Sequence, residues 1–534
     1  MAQPVKNHFR NWVPHWLKIT VMFMILLPVL MANGAYVGSN VDISGSLGVL
    51  SEDINMAYYA ASAGMCIAYL LVPIIKPVAT AKTIILSVLL FQVLLSLVCA
   101  KTNLVEVIII CSFFIGIFKG FSMFEVIVML MPELSRSGTR NEFYAKFYPI
   151  TITVGQLSLV LTAEMAYQYQ WQYMYYFMIL LLLVAMLSVV VCMAYARRLI
   201  RIPFKDIDWL ALLMISVCTM SVIYVCTYGK TNDWFSSPEI SIGAILALIT
   251  GYIFIYRQLN PSEGKNPLIN MSVLKNRNSV VAYLMSFILM FFVSFSLLAS
   301  TYVTSILRLG SDRANELYLY MIPGIIAGGV LCYYFYLKAI RMAWIIFFGF
   351  ACFTLSIAIL YFKVDTYGLY EDIYIPMFLR GMGMLSLFVA LGIYCVQGLQ
   401  QKQMMSNAFF LIAARSTLAP AIGSSILSNW IYRLQQQNIT ILMQNVDMQN
   451  DLAVSRFGSS ARNALAQGWS AEDAQRIATN SIYSTVQTQA ALVSIKTILG
   501  WMLILGIIVL IGILLYFFQF KPVKLMKVGS DMKG

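Results

Sequence analysis

The sequence predicts an all-helical membrane protein with fourteen membrane-spanning helices. Three observations predict this class: 60% of the residues are hydrophobic, 11% are charged, and apolar stretches of spanning length follow one another along the chain. Ordinary soluble domains carry about 25% charged residues. A segment needs roughly 20 apolar residues to cross the hydrocarbon core, where each backbone polar group must be bonded within the segment. We therefore expect each stretch to be a helix.

The predicted spans are numbered in chain order. The first has no small-residue cleavage site and is too long for the core of a signal peptide, so we expect it to be retained. The spans are predicted at 17–37, 56–75, 83–100, 105–131, 147–166, 172–195, 208–228, 239–256, 279–304, 316–337, 343–362, 375–397, 406–430 and 490–518.

The distribution of basic residues predicts the orientation. Most Lys and Arg residues lie in short loops on one side of the spans, such as 76–82 and 197–205, and in the C-terminal tail. The positive-inside rule places that side in the cytoplasm, so both termini are expected there. We expect the inner membrane of a bacterium, with the polar segment 431–489 in the periplasm. The net charge of +13 thus indicates topology, and no nucleic-acid partner is expected.

Cysteine and histidine positions exclude several classes of site. All nine cysteines lie in predicted spans, without disulfide or metal-ligand spacing, and the only two histidines, His8 and His15, precede the first span. No metal site and no cofactor are expected. The spans contain no histidine base or nucleophile–base pair, so an enzyme is not expected.

A short repeat indicates two related halves. Phe113 to Gly116 in span 4 is echoed by Phe378 to Gly381 in span 12, eight spans later. Spans 1–6 and 9–14 would then form equivalent halves, with spans 7 and 8 inserted. Six-helix repeats around a site at the membrane midplane are the arrangement of major facilitator transporters. The expected divisions are 1–200, 201–265 and 266–534, the last including an outer helical hairpin at 431–489.

Four patches resemble the 14-helix drug:proton antiporters of the major facilitator superfamily, the Emr-type multidrug exporters. They are the loop 229–237 with Asp233-Trp234, the entry to span 9 at 266–278, the span 13 pattern at 417–426, and 466–469 in the outer segment. The resemblance implies a major facilitator fold of 6 + 2 + 6 spans. It also implies an exporter driven by the proton gradient, working with a periplasmic adaptor and an outer-membrane channel.

The usual coupling and gating residues of that family are missing. The family acid of span 1 is absent from Leu30 to Tyr36, the loop gate after span 2 is replaced by Lys76 to Lys82, and Ser112 stands where span 4 usually has arginine. The span 5 signature is replaced by 158–163. Loss of both members of a buried pair need not leave an uncompensated charge. Roles therefore cannot be transferred by position.

Ionisable residues at membrane depth are functional candidates because they are costly there. Substrate-cavity candidates are Lys119, Ser122, Arg380 and Asn33. Lys119 and Glu125 are six positions apart, so their side chains diverge by about 120° and are not expected to pair. If Lys119 and Arg380 face the cavity, its positive sign favours amphipathic or anionic cargo.

Proton-coupling candidates are Glu125 and Glu164. A carboxyl group away from water is easier to protonate, as a proton carrier requires. The alternatives are a structural role for Glu125, neutralised by Lys119 or Lys146, and a wetted interfacial position for Glu164. Lys146 and Arg415 are expected to be structural charges, Arg415 because span 13 is expected to pack peripherally.

The outer segment is expected to form a helical hairpin. The spacing of Ile431, Leu434, Asn438, Ile441, Asn445, Met448 and Leu452 predicts that span 13 continues outward as an amphipathic helix. Ser470 is an expected N-cap for a returning helix, with Asp473 at the capping-box position. Leu434, Ile441 and Met448 are candidates for docking an adaptor. A self-packed helical cap is the alternative.

The sequence thus predicts a proton-coupled exporter of small amphipathic or drug-like molecules. Two alternatives stay open, because the family motifs are degraded. One is a facilitator or importer without proton coupling. The other is a non-transporting membrane scaffold built on a transporter fold.

Overall fold

Fourteen helical segments confirm the predicted number of spans. The computed structural model describes residues 8–135, 140–195, 207–261, 267–444, 446–447 and 449–519. Within these ranges, 13 helices are long and apolar enough to cross a membrane, and the shorter apolar helix His15–Met31 corresponds to span 1. The only β pairing in the described part of the chain is an isolated bridge between Phe9 and Met193. The protein is a multi-pass, all-helical membrane protein.

The spans keep their predicted numbers. Their observed bounds are His15–Met31, Ser51–Ile75, Ala81–Lys101, Val105–Leu134, Arg140–Gln168, Gln172–Cys192, Trp209–Tyr228, Pro238–Leu259, Arg277–Ile306, Ser311–Leu337, Met342–Lys363, Tyr370–Tyr394, Gln401–Met443 and Ala471–Phe517. Short helices Asn40–Leu47 and Asp451–Ala466 lie outside the spans. We call the side that carries residues 451–489 the outer side, following the predicted orientation.

Span 1 is shorter than predicted. It ends at Met31 rather than at residue 37, because Ala32 adopts an extended conformation. The chain then passes so close to span 4 that a Cβ on Gly34 would lie 1.9 Å from the Ser112 hydroxyl. Only glycine permits this approach. The carbonyls at the end of span 1 are therefore left inside the bundle without helical partners.

The predicted echo between spans 4 and 12 has a structural counterpart. A Cβ on Gly64 of span 2 would lie 1.9 Å from the Phe113 carbonyl oxygen of span 4. In the second half, a Cβ on Gly324 of span 10 would lie 2.0 Å from the Phe378 carbonyl oxygen of span 12. Both glycines allow two helix backbones to touch, as small residues do in membranes.

The echo glycines themselves make the reciprocal contacts. A Cβ on Gly116 would lie 1.9 Å from the Ala61 carbonyl oxygen, and one on Gly381 would lie 2.3 Å from that of Met321. Spans 2 and 4 therefore cross as spans 10 and 12 do. The predicted division points at 200–201 and 265–266 lie at residues outside the described ranges.

Span 13 packs between the halves, so the expectation that it is peripheral is wrong. It packs against span 2, while span 5 packs against span 10. The Thr417 hydroxyl donates to the Ser62 carbonyl at 3.1 Å, and the hydroxyls of Tyr59 and Ser424 are 2.8 Å apart. Hydroxyl groups buried in lipid-embedded helices need such partners, and span 2 supplies them.

The boundary at which span 2 meets span 13 and span 5 meets span 10 is called the seam between the halves. The inserted spans 7 and 8 lie beside it. They pack on each other, and span 7 packs against spans 2 and 13. The Trp234 indole donates to the Asn429 side chain at 3.1 Å, and the Ser425 hydroxyl donates to the Cys226 carbonyl at 2.6 Å. Arg257 and Asp208 join the two inserted spans at 2.9 Å. The inserted pair therefore braces both halves.

The outer segment is helical, but its first helix is shorter than predicted. Span 13 continues only to Met443, and a new helix begins at Asp451, where the Asn450 side chain caps the backbone N–H groups of residues 452 and 453. Ser470 caps the last helix as expected, accepting from the Asp473 N–H at 3.1 Å. That helix runs without a break from Ala471 to Gln519 and packs against helix 451–466 and span 13.

We expect Gly324→Ala to destabilise the protein by about 1–3 kcal/mol, because the added methyl overlaps the Phe378 carbonyl and forces spans 10 and 12 apart. Thermal unfolding of the purified protein in detergent measures the effect. Gly512→Ala is the control, since a Cβ on Gly512 would meet nothing within 4 Å. Equal melting temperatures for the two variants would contradict the close backbone contact.

Candidate functional site

Lys119 binds the interrupted end of span 1. Its ammonium group donates to the carbonyl oxygens of Leu30 at 2.8 Å and Ala32 at 3.3 Å, and to the side-chain oxygen of Asn33 at 3.0 Å. An ammonium group has three protons, and these three acceptors use them all. The sequence candidates Lys119 and Asn33 are thus brought together, with the lysine fixed against the helix end.

Arg380 occupies a related place in the second half. It is 2% exposed and donates to the Val293 carbonyl oxygen at 2.7 Å. Span 9 is interrupted at this point: its first helix ends at Ser294 and a second begins at Ser296. The Met377 sulfur is 3.9 Å from the guanidinium, and the Arg380 Nε has no hydrogen-bond partner in the described structure.

Both cations therefore bond a carbonyl group at the end of a helix, and the Val293 carbonyl also accepts from the Ser296 hydroxyl at 3.2 Å. The last carbonyls of a helix lack intrahelical partners and form the negative end of its dipole, which favours a cation. Span 4 supplies Lys119 to span 1, and span 12 supplies Arg380 to span 9. Neither residue takes part in an ion pair of the described residues. Lys119 is saturated, whereas Arg380 keeps donors to spare.

Arg415 lies where three spans from both halves meet. Its guanidinium is 4.1 Å from the centre of the Phe388 ring and 5.0 Å from that of Tyr148. It donates to the Tyr148 hydroxyl at 3.0 Å and to the Phe388 carbonyl at 3.3 Å. A five-residue π-helix, Ala413–Thr417, places the side chain there. Arg415 thus links span 13 to spans 5 and 12, which corrects its expected peripheral place.

Glu125 pairs with a lysine that the sequence did not indicate. Its carboxylate is 3.6 Å from the ammonium of Lys76, just after span 2, rather than beside Lys119 or Lys146. The Lys76 ammonium also lies 4.3 Å from the centre of the Phe124 ring. The Glu125 side chain is 6% exposed, against 35% for Lys76. Glu125 is therefore buried, whereas its partner Lys76 is partly exposed on the inner side of the protein, opposite the outer segment.

Lys146 belongs to a separate cluster at the start of span 5. It pairs with Glu142 at 2.5 Å and donates to the Leu134 carbonyl at 2.9 Å. The Ser135 hydroxyl donates to the same carboxylate at 3.3 Å. These bonds hold the end of span 4 against span 5, which is the kind of contact expected of a structural charge.

Among the described residues, the other sequence candidates form no hydrogen bond or ion pair with Lys119, Arg380 or Arg415. Glu164 is exposed at the outer end of span 5, where it accepts from Gln168. Ser122 is fully buried and donates within its own helix to Phe118 at 3.3 Å. Leu434 packs on the hydrophobic core, and Ile441 is 56% exposed. Met448 lies outside the described residues.

Two further residues matter that sequence reasoning missed. Tyr148 supplies both a ring and a hydroxyl to Arg415, and Phe388 supplies the opposite ring face. In the sequence, Tyr148 is marked only by its place before Pro149, and Phe388 only by its place after the glycines of span 12. Many lipid-facing aromatic residues have similar surroundings, so these positions do not identify the two residues. No group of three or more His, Cys, Asp or Glu residues suited to a metal occurs among the residues described.

Solved structures share this fold at low sequence identity. A POT family transporter bound to a thioalcohol-conjugated peptide gives a TM-score of 0.52 at 13% identity, over 78% of this chain and 90% of that one. A POT peptide transporter bound to sulfate gives 0.50 at 12% identity, over 92% and 95%. No protein-family model matches the sequence. No curated protein matches it either. The chain therefore has a major facilitator-type fold, without a demonstrated place among the drug:proton antiporters.

We expect Lys119→Met to lower stability by several kcal/mol, because a buried acceptor left without a donor costs about 1–3 kcal/mol and this change strands three. Asn33→Ala should cost less, since both carbonyls keep the lysine. Thermal unfolding in detergent measures both variants. Lys101→Met, at the exposed outer end of span 3, is the control. Unchanged stability in Lys119→Met would contradict the capping role.

Proposed function

We propose that this chain, with its major facilitator-type fold, is a transporter that exports small amphipathic or drug-like molecules in exchange for protons. Its location would be the inner membrane of a bacterium. The observation that carries the proposal is the presence of two buried cations, Arg380 bonded to span 9 within the second half and Arg415 bonded to span 5 across the halves; together they are called the cationic centre. A buried charge is costly in a membrane and marks a substrate or ion pathway.

Arg380 is the proposed anchor for cargo. Its guanidinium has five N–H donors, of which one reaches a carbonyl oxygen and one a weakly accepting sulfur. The spare donors match the two oxygens of a carboxylate, sulfonate or phosphate group, which guanidinium binds in bidentate fashion. Cargo with an acidic group would be attracted to this centre and a lipophilic cation repelled.

Aromatic side chains support an amphipathic cargo. Tyr148 and Phe388 face the Arg415 guanidinium from two spans. Aromatic rings offer large apolar contact area together with cation–π and edge interactions. A flat, apolar molecule with one acidic group would fit a site that combines these rings with a cation.

The Glu125–Lys76 pair is the proposed place of proton coupling. Protonation of Glu125 removes its charge and therefore its attraction to Lys76, which frees span 4 from the end of span 2. Span 2 also packs on span 13 of the other half, so a change at this pair would reach the seam. If Glu125 takes up a proton only when no cargo is bound, proton uptake and cargo export would be coupled.

A facilitator without proton coupling is a second candidate, and one observation favours it. Glu125 lies in an ion pair at the edge of the bundle, where a purely structural acid would also sit. Transport that does not depend on a proton gradient would favour this candidate over the exporter. Absence of any transport would favour a membrane scaffold.

An adaptor and an outer-membrane channel remain proposed partners of the outer helices. Ile441 and Leu452, on the outer part of span 13 and on helix 451–466, are 56% and 81% exposed. Such side chains are unfavourable in water and suit a protein contact. Leu434, another proposed docking residue, is partly buried against the core of the chain, so less of its side chain is open to a partner.

We expect purified protein in proteoliposomes to exchange an anionic aromatic dye for protons, and Glu125→Gln to abolish the proton movement. The amide keeps the shape but carries no charge for Lys76 and takes up no proton at neutral pH. A pH-sensitive dye inside the vesicles measures the flux. Glu133→Gln, near the same end of span 4, is the control. Full proton exchange in Glu125→Gln would refute coupling at this residue.

We expect Arg380→Gln to weaken transport of the anionic dye by about tenfold or more, since hydrogen bonds to charged groups contribute about 1.5–3 kcal/mol. Transport of a cationic dye of similar size should rise or stay unchanged. Initial uptake rates at several dye concentrations measure both. Arg313→Gln, on the exposed outer end of span 10, is the control. Equal losses for both dyes would contradict anion recognition.

A further inference from the structure

A groove lies on the outside of the second half, away from the cationic centre. Spans 11 and 14 form it, and its volume is about 380 Å³. Residues lining it include Tyr361, Lys496, Thr497, Gly500, Trp501 and Ile504. Gly500 helps to keep the groove open, because even a Cβ there would stand 3.5 Å from the Tyr361 ring.

The groove faces the lipid. Trp501 and Ile504 are 56% and 49% exposed. Large apolar side chains exposed on a membrane-spanning helix contact acyl chains. In the described structure the main packing partners of spans 11 and 14 are each other and further elements of the second half. The groove is therefore reached from the bilayer and not through the seam between the halves.

Lys496 marks the outer boundary of the hydrocarbon layer. From Lys496 to the end of span 14 at Phe517 the helix rises about 31 Å at 1.5 Å per residue, close to the thickness of the hydrocarbon core. Tyr361, across the groove, is two residues before the end of span 11, where exposed Lys363 pairs with Asp372 at 3.0 Å. Trp501 and Ile504 lie further along span 14, at acyl-chain depth. Lys496 is thus a cation at the outer headgroup level, not one buried near the midplane.

Lys496 makes no ion pair or hydrogen bond with any residue of the described ranges. It is also the only charged residue that lines the groove in this part of the structure. An ammonium group at a membrane boundary is stabilised by an anion at the same depth. The groove therefore combines one unpaired positive charge at its outer end with an apolar floor beneath it.

We propose that this groove binds one anionic phospholipid of the outer leaflet. The lipid phosphate would lie on the Lys496 ammonium, and an acyl chain would run inward over Gly500 between Trp501 and Tyr361. The complementary charge selects an anionic headgroup, and the groove holds the chain. This site is independent of the proposed transport function, because it uses none of the residues at the seam.

Native mass spectrometry of the full chain tests the proposal. The protein is purified in detergent and mixed with equal amounts of phosphatidylglycerol and phosphatidylcholine. We expect one phosphatidylglycerol to be retained in preference. Lys496→Gln should reduce that preference about fivefold, as expected for about 1 kcal/mol from one lysine near a membrane surface. Lys496→Arg should keep it.

Further variants separate the groove from its charge. Gly500→Leu fills the groove, leaves Lys496 in place and uses a residue that favours helices, so it should release the lipid without loss of folding. Lys101→Gln, at the outer end of span 3 and outside the groove, should change nothing. Equal retention of the two lipids, an unchanged preference in Lys496→Gln, or displacement of the lipid by inorganic phosphate alone would overturn the proposal.

Discussion

Bonding of free carbonyl groups inside the bilayer is the constraint on which this structure depends. Spans 1 and 9 are both interrupted within the bundle, and hydrocarbon offers no water to bond the carbonyls thus released. Lys119 of span 4 bonds the carbonyls at the end of span 1, and Arg380 of span 12 shares the Val293 carbonyl of span 9 with the Ser296 hydroxyl. These bonds explain how two buried cations persist without carboxylate partners. The positive charges of Lys119 and Arg380 are thus compensated by dipoles of the described residues rather than by carboxylates.

The two halves are alike in their helix packing but differ in how their buried cations are bonded. Close glycine contacts join span 2 to span 4 and span 10 to span 12 at equivalent positions. The cations do not share this register: Lys119 follows its echo glycine by three residues, whereas Arg380 precedes its own by one. Lys119 uses all its protons on span 1, while Arg380 uses few on span 9. Lys119 is therefore fully used in holding span 1, whereas Arg380 keeps donors that the proposed cargo could bond.

The buried cations Arg380 and Arg415 form no ion pair with the buried acid Glu125 in the described structure. The cations at the seam lack acidic partners in the described structure, and the buried acid Glu125 is paired at the edge of span 2. Span 2 connects the two regions, because it contacts span 4 along its length and span 13 across the seam. The proposed coupling at Glu125 would not use the acid of span 1 or the arginine of span 4 that the sequence lacks. The lipid groove adds a third, independent region on the outer surface of the bundle.

The sequence by itself determined the class, the number of spans, the echo between spans 4 and 12 and the N-cap at Ser470. Each depends on local composition or on a repeat of residue types, which a sequence displays directly. Only the tertiary structure decided the partner of Glu125, the place of Arg415 and the early end of span 1. Hydropathy reports that a helix enters the membrane but not which face meets which neighbour. The partner of a buried charge depends on helices that are far apart in the chain, such as spans 5, 12 and 13 around Arg415.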